Sequence, residues 1–210
     1  MKNIITVTLL LNISVFFSCN NNTQEPQQEN TQETQTCTYS YNPISSNVHW
    51  VAYKHTAKAE VHGNFDSITV SGTQNADNPY SVIENATIQI KISSTNTNDP
   101  ERDGKIINHF FKKLTNTEVI IGKIKSIAEK KAIVSITLNA IEKDVEMQCT
   151  FENEELTLSG TILISDWNGQ EALASINQAC EIKHTGADGV NKIWDEVAIS
   201  VKTTLKKECK

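Results

Sequence analysis

Cys180 and His184 are the pair of side chains whose types and spacing most directly suggest chemistry. They lie four residues apart, so on one helical face they could bind zinc or copper. Cys149 or His62 could complete such a site, but no CxxC or HxxxH motif accompanies the pair. A metal-binding exported protein is therefore one alternative for the function, and a disulfide is the competing use of the cysteine.

Other catalytic patterns are missing from the sequence. There is no GxSxG motif and no glycine-rich phosphate loop, and the 8 glycines are scattered. The formal net charge is −6 and Arg102 is the single arginine. This composition argues against nucleic acid as a partner and against a phosphate-clamping enzyme. We therefore expect a protein that is not an enzyme and that needs no cofactor.

The N-terminus resembles a bacterial lipoprotein signal. Lys2 precedes an apolar run at 4–17 that is too short to span a membrane, and Ser18 precedes Cys19 as in a lipobox. We expect residues 1–18 to be a signal peptide and Cys19 to be acylated. The alternative is an ordinary cleaved signal in which Cys19 is incidental.

A polar segment follows at 19–36 and contains no aliphatic or aromatic residue after Cys19. Such a composition is typical of a disordered tether. Acyl chains on Cys19 would anchor the protein to a bacterial membrane, with the outer membrane favoured, and the domain would face the periplasm.

Residues 37–210 are expected to form one mainly β domain. Apolar and polar residues alternate, as at 87–92 and 197–202, which is typical of strands with one buried face. About eight such segments favour an antiparallel barrel, since closure removes exposed strand edges. The strands are expected at 48–55, 68–71, 86–92, 119–127, 132–139, 145–151, 155–164 and 196–203.

Two short α-helices interrupt the strands. Asp99 and Pro100 are typical of a helix start. Apolar residues follow at helical spacing at Ile107, Phe110, Phe111 and Leu114. The second helix is expected at 170–180, with Asp166 or Asn168 as its cap, followed by a polar loop at 184–191.

Four cysteines remain in this domain, Cys37, Cys149, Cys180 and Cys209, and they allow three disulfide connectivities. The first and last strands of a closed barrel are neighbours, which favours a bond between Cys37 and Cys209. Cys149 would then pair with Cys180.

Three stretches of the chain carry a resemblance to the YceI-like family. They are Val48-His49-Trp50-Val51-Ala52-Tyr53-Lys54-His55, Val61-x-Gly63-x-Phe65 with the strand that closes at Gly72, and Trp194-x-x-Val197 near the end. The resemblance covers about 41–202. It implies a lipocalin-like barrel that holds a polyisoprenoid, a quinone or a similar lipophilic molecule for sequestration or transport.

The resemblance also implies that apolar inward side chains contact the ligand. The candidates are Trp50, Phe65, Ile90, Phe110, Phe111, Met147 and Trp194. Phe110 and Phe111 would lie on a helix that gates the barrel. The alternative is that inward side chains fill the interior completely, which would make the protein a structural or protein-interaction module without a ligand.

Overall fold

A computed structural model describes residues 35–210 of the 210-residue chain. The signal peptide expected at 1–18, Cys19 and nearly all of the tether expected at 19–36 lie outside the described residues. The strands are β1 (Cys37–Tyr41), β2 (Asn47–Lys54), β3 (Ala59–Phe65), β4 (Ile68–Ser71), β5 (Thr87–Lys91), β6 (Thr95–Asn96), β7 (Val119–Ala128), β8 (Lys130–Leu138), β9 (Ile141–Glu152), β10 (Glu155–Leu163) and β11 (Ile193–Cys209).

Within residues 35–210, three α-helices and four 3₁₀ turns accompany the strands. The α-helices are α1 (Pro100–His109), α2 (Gln170–Ala179) and α3 (Glu181–His184). The 3₁₀ turns are Pro79–Val82, Ile92–Ser94, Phe111–Lys113 and Ile164–Trp167. None of the helices within residues 35–210 has both the length and the apolar character that a membrane-crossing helix needs.

The strands form one antiparallel sheet in the order β4-β5-β7-β8-β9-β10-β11-β2-β3-β6, with β1 paired to β11. Chain continuity brings the two ends of this order together, because β3 leads directly into β4 and β5 leads into β6. Asp66 N donates to Ser94 O at 2.9 Å and Lys91 N donates to Ser67 O at 3.1 Å across the two bends. If each bent pair is taken as one long strand, the barrel has about eight strands, as the sequence predicts.

Tight turns with left-handed backbone set the register of the long hairpins. Asn139 and Ala140 both have positive φ between β8 and β9, and Asn153 and Glu154 do so between β9 and β10. Two residues with positive φ match the right-handed twist of the flanking strands, and asparagine tolerates this conformation well. β9 therefore begins at Ile141, earlier than the alternation alone indicates.

β11 is longer than the sequence predicts, and the cause is a partner strand. The last five residues of β11 pair with β1, which places Cys37 directly opposite Cys209. These two cysteines form a disulfide, so this expected pairing is confirmed. Thr36 extends the ladder by one residue, since its backbone N–H and C=O both bond to Lys210.

The expected disulfide between Cys149 and Cys180 is wrong, because both cysteines are free in the structure. Cys149 lies on β9 opposite Leu158 of β10 and is 1 % exposed. Cys180 lies at the C-terminal end of α2, near the other end of the barrel. The sheet and the helix hold the two thiols apart.

The start of α1 agrees with the sequence and the start of α2 does not. The Asp99 carboxylate accepts a hydrogen bond from Arg102 N at 3.1 Å, and Pro100 occupies the first turn. Phe110 ends α1 and Phe111 begins a 3₁₀ turn, so the helix stops before the expected apolar series is complete. α2 has Gly169 at its N-cap and no side-chain cap, because Asp166 and Asn168 belong to the preceding 3₁₀ turn and its end.

Candidate functional site

The inward side chains of the barrel surround a mainly apolar cavity of about 270 Å³. Its wall is made by alternate residues of eight strands, and its open end is lined by α1, α2 and α3. The volume is close to the lower end of the range of roughly 300–1,000 Å³ found for small-molecule sites. The interior is therefore not filled by side chains alone, in contrast to the packed-barrel alternative.

All seven residues proposed from the sequence as ligand contacts lie on the wall of this cavity. They come from five different strands and from the segment that follows α1, and only the closed sheet brings these parts together. Their role in contacting a ligand stays a prediction. The residues are Trp50, Phe65, Ile90, Phe110, Phe111, Met147 and Trp194.

Several wall residues were missed by the sequence analysis. Ala52 and Val197 line the cavity and could have been found, because each shares a face with a neighbour two residues away. Lys54, Lys183 and His184 line the open end. His184 was noted in the sequence only as a metal-ligand candidate beside Cys180. No sequence signal pointed to Lys183, because α3 was not expected between the second helix and the polar loop.

The end of the barrel opposite the helices is closed by aromatic packing. The Phe151 ring meets Tyr39 edge-on at 5.5 Å between ring centroids and Tyr80 at 6.3 Å. Leu156 and Cys149 beside them are almost completely buried. Burial raises the pKa of the Cys149 thiol to about 11, so this cysteine is an inert part of the core. The helical end is therefore the open end of the cavity.

Trp50 covers one side of the cavity because Gly63 has no side chain. The two residues face each other across β2 and β3. A Cβ added at Gly63 would lie only 2.5 Å from Cε2 of the indole ring. The glycine thus lets the ring lie flat on β3, which keeps it out of the space at the centre of the barrel.

α1 lies across the open end and is held mainly at its N-terminal side. Asp103 accepts hydrogen bonds from Thr97 N at 2.8 Å and Thr97 Oγ1 at 2.7 Å. None of the residues of α1 is fully buried, whereas α2 buries Ala172 and Ile176. α1 is consequently the less firmly held of the two helices that cover the cavity.

The aromatic residues that end α1 reach into the barrel. The ring centroids of Phe110 and Phe111 are 5.0 Å apart, and the ring centroids of Phe111 and Phe65 are 6.1 Å apart. Trp194 lies on the other side of the opening, where its Nε1 donates to His55 O at 2.7 Å. Together these rings form the apolar entrance below the helices.

His184 is a buried, neutral group at the open end. It is 9 % exposed, and its Nδ1 lies 2.9 Å from Asn177 Oδ1. Burial lowers the pKa of His184 to about 4, and the neighbouring Lys54 and His55 side chains act in the same direction. Cys180 lines the same end of the cavity, but no third His, Cys, Asp or Glu joins this pair to make a metal-binding group within residues 35–210.

A curled antiparallel barrel with one closed end and an apolar interior defines a lipocalin-like binding fold. A model of the YceI-like domain matches residues 39–205. The chain therefore belongs to the YceI-like family.

Solved structures of the same fold are similar to this chain. A polyisoprenoid binding domain from Saccharophagus degradans, implicated in plant cell wall breakdown, matches with a TM-score of 0.56 and 12% identity, over 83% of this chain and 99% of that domain. BcnA of Burkholderia cenocepacia matches with a TM-score of 0.51 and 14% identity, over 80% of this chain and 99% of BcnA. At these identities the likeness concerns the fold. A comparison with curated proteins gives no match.

Replacing Gly63 by alanine should displace the Trp50 indole into the cavity. We expect Gly63→Ala to lower the free energy of unfolding by about 1–3 kcal/mol, as overpacking of a core does, and to shift the tryptophan emission spectrum. Gly104→Ala is the matched control, because a Cβ there meets no atom within 4 Å. The control should stabilise α1 by roughly 0.5–1 kcal/mol. Equal denaturant midpoints for the two variants would contradict the contact.

The stability of the protein should depend on pH through His184. Its pKa is about 4 in the folded chain and about 6.5 when unfolded, so between these values only the unfolded chain binds the extra proton. The free energy of unfolding should therefore fall by up to about 3 kcal/mol as the pH drops from 6.5 to 4.

His184→Gln should flatten this part of the pH profile while it preserves a polar partner for Asn177. His109→Gln, at an exposed position of α1, is the control and should leave the profile as in the parent protein. The measurement is chemical denaturation at a series of pH values. The assignment is wrong if His184→Gln and the parent protein lose stability in parallel.

Proposed function

We propose that the protein binds a lipophilic small molecule of the polyisoprenoid or quinone class inside the barrel and sequesters or carries it. The observation that carries the proposal is the apolar cavity of about 270 Å³, closed at the Phe151 end and open at the helical end. Membership of the YceI-like family and the fold shared with a polyisoprenoid binding domain support it.

The energetics of burial are sufficient for such a function. Each buried methylene contributes roughly 0.8 kcal/mol as an upper estimate. A chain of about ten buried carbon atoms would then gain up to about 8 kcal/mol, which corresponds to a micromolar dissociation constant. Affinity of this kind depends on shape complementarity and on the exclusion of water more than on polar contacts. It suits binding without chemical conversion of the ligand.

The covering helix supplies the route of entry. α1 buries none of its residues fully, and Phe110 at its end lines the cavity. Movement of α1 away from the barrel would expose the apolar interior at a small cost in packing. We therefore assign to Phe110 the control of ligand entry.

A larger side chain at Ala52 should block binding. Ala52 faces the cavity, and its neighbour Val51 faces the outer surface of β2. Ala52→Phe should weaken uptake of farnesol, an uncharged isoprenoid probe, by at least about tenfold, since it fills the space that the chain would occupy. Val51→Phe is the matched control and should bind like the parent protein.

Native mass spectrometry and quenching of tryptophan fluorescence measure this binding on the purified full chain. Organic extraction of protein isolated from bacteria would identify a carried lipid. If the parent protein shows no adduct and takes up no farnesol, the result favours the alternative function, a structural or protein-interaction module without a ligand.

We also propose that acylated Cys19 tethers the domain to a bacterial membrane, facing the periplasm. The apolar run at 4–17 and the Ser18-Cys19 pair support this proposal. More than one acyl chain on a single cysteine gives stable attachment.

Cys19→Ala should move the protein out of the membrane fraction and remove the acyl mass from its N-terminal peptide. Cys180→Ala, which replaces a cysteine of the folded domain, should leave both properties unchanged. Fractionation followed by peptide mass spectrometry makes the comparison. An unmodified Cys19 in the wild-type protein would exclude the tether.

A further inference from the structure

Basic side chains from three different elements converge at the open end of the cavity. Lys54 ends β2, Arg102 and Lys105 lie on α1, and Lys183 lies on α3; we call these four residues the basic rim. Asp99 and Glu101 are the acidic residues of the same lining, so the rim has an excess of two positive charges. This excess is notable in a chain whose formal net charge is −6.

Two members of the basic rim are neutralised by neighbours on α1 or its cap. Arg102 pairs with Asp99 at 3.1 Å, and Lys105 pairs with Glu101 at 2.8 Å. Both pairs lie within a single turn of helix. Neither carboxylate forms an ion pair with the remaining two cations, Lys54 and Lys183.

Lys54 and Lys183 have no ion pair among the described residues. Lys54 Nζ donates to the backbone carbonyl of Lys183 at 3.1 Å, which is a neutral acceptor. This contact also fixes α3 against the end of β2 and holds the Lys54 ammonium beside the backbone of Lys183. The Lys183 ammonium helps to lower the pKa of Glu101, after the larger effect of Lys105.

The Cys180 thiol reports the field of this cluster. Burial raises the pKa of Cys180, the ammonium groups of Lys105, Lys54 and Lys183 oppose that rise, and the Glu101 carboxylate adds to it. Cys180 itself lines the cavity. Three of these four charged neighbours of the thiol are therefore cations of the basic rim.

The wall directly below the rim is apolar. Leu173 and Ile176 of α2 and Ile193 and Val197 of β11 line it. A molecule that fills this site would thus place an apolar chain in the barrel and its terminal group among the lysines. An ammonium on a flexible stem binds a carboxylate or a phosphate as a point charge.

We propose that the ligand is an anionic amphiphile, an apolar chain that ends in a carboxylate or a phosphate, with its head group held by Lys54 and Lys183. This inference rests on the proposed function, because it assigns the head group of the molecule that the cavity binds. The negative charge of the head group distinguishes this ligand from an uncharged quinone or alcohol.

Three probes with one chain and different head groups test the proposal: farnesol, farnesoic acid and farnesyl phosphate. Their dissociation constants are measured on the purified full chain by quenching of tryptophan fluorescence and by calorimetry. We expect the two anions to bind about tenfold more tightly than farnesol, since two partly exposed ion pairs each add a severalfold gain. This advantage should shrink in 0.5 M salt, where exposed charges are screened. The stronger of the two anions identifies the head group.

Lys54→Gln/Lys183→Gln should abolish the preference for the anions and leave the affinity for farnesol within about twofold of the parent protein. Lys123→Gln/Lys206→Gln removes the same charge from exposed strand positions away from the opening and should keep the preference. Unchanged farnesol binding shows that the first variant is folded.

The outcomes distinguish a failure of the anionic head group from a failure of the proposed function. Equal binding of the three probes by the parent protein, or a preference that survives in Lys54→Gln/Lys183→Gln, overturns the anionic head group and leaves the proposed function intact. A parent protein that binds none of the probes contradicts the proposed function and this inference together.

Discussion

Closure of the backbone hydrogen-bond network round the barrel is the constraint on which the rest of the structure depends. The bends between β3 and β4 and between β5 and β6 let one pair of long strands complete the ring. About eight strands then set the interior width, whatever side chains fill it. Because small residues such as Ala52 and Gly122 face inward, the ring is wider than its contents, and the cavity is the result.

The two ends of the barrel are built from different chemistry. At one end β11 is extended by pairing with β1 and locked by the Cys37–Cys209 disulfide, and the Phe151 cluster closes the interior. At the other end, short helices with little burial cover an opening rimmed by lysines. A container with one fixed end and one weakly held end can admit a ligand without unfolding the sheet, since the opening movement involves few buried contacts.

Much of the fold could be predicted from the residues because alternation is a local signal. Apolar residues at every second position predicted eight of the eleven strands found within residues 35–210, whereas β1, β3 and β6 were missed. Asp99 with Pro100 predicted the start of α1. The errors arose where partners are distant in sequence. β11 extends beyond its alternating segment because β1 pairs with it, and the cap expected for α2 is used by a 3₁₀ turn. The presence of two cysteines in a sequence does not reveal how far apart their thiols lie in the fold. The separation of Cys149 and Cys180 could therefore not be predicted.

The sequence by itself determined the fold class, the family resemblance and seven of the residues that line the inner face, since a strand's side-chain direction follows from its period of two. Only the tertiary structure decided that these residues surround an unfilled space, because a void depends on the closure of the ring and on the volumes of facing residues together. It also decided that Lys54 and Lys183, 129 residues apart, meet at the opening. Residues so distant in sequence come into contact only when β2 and α3 are packed together.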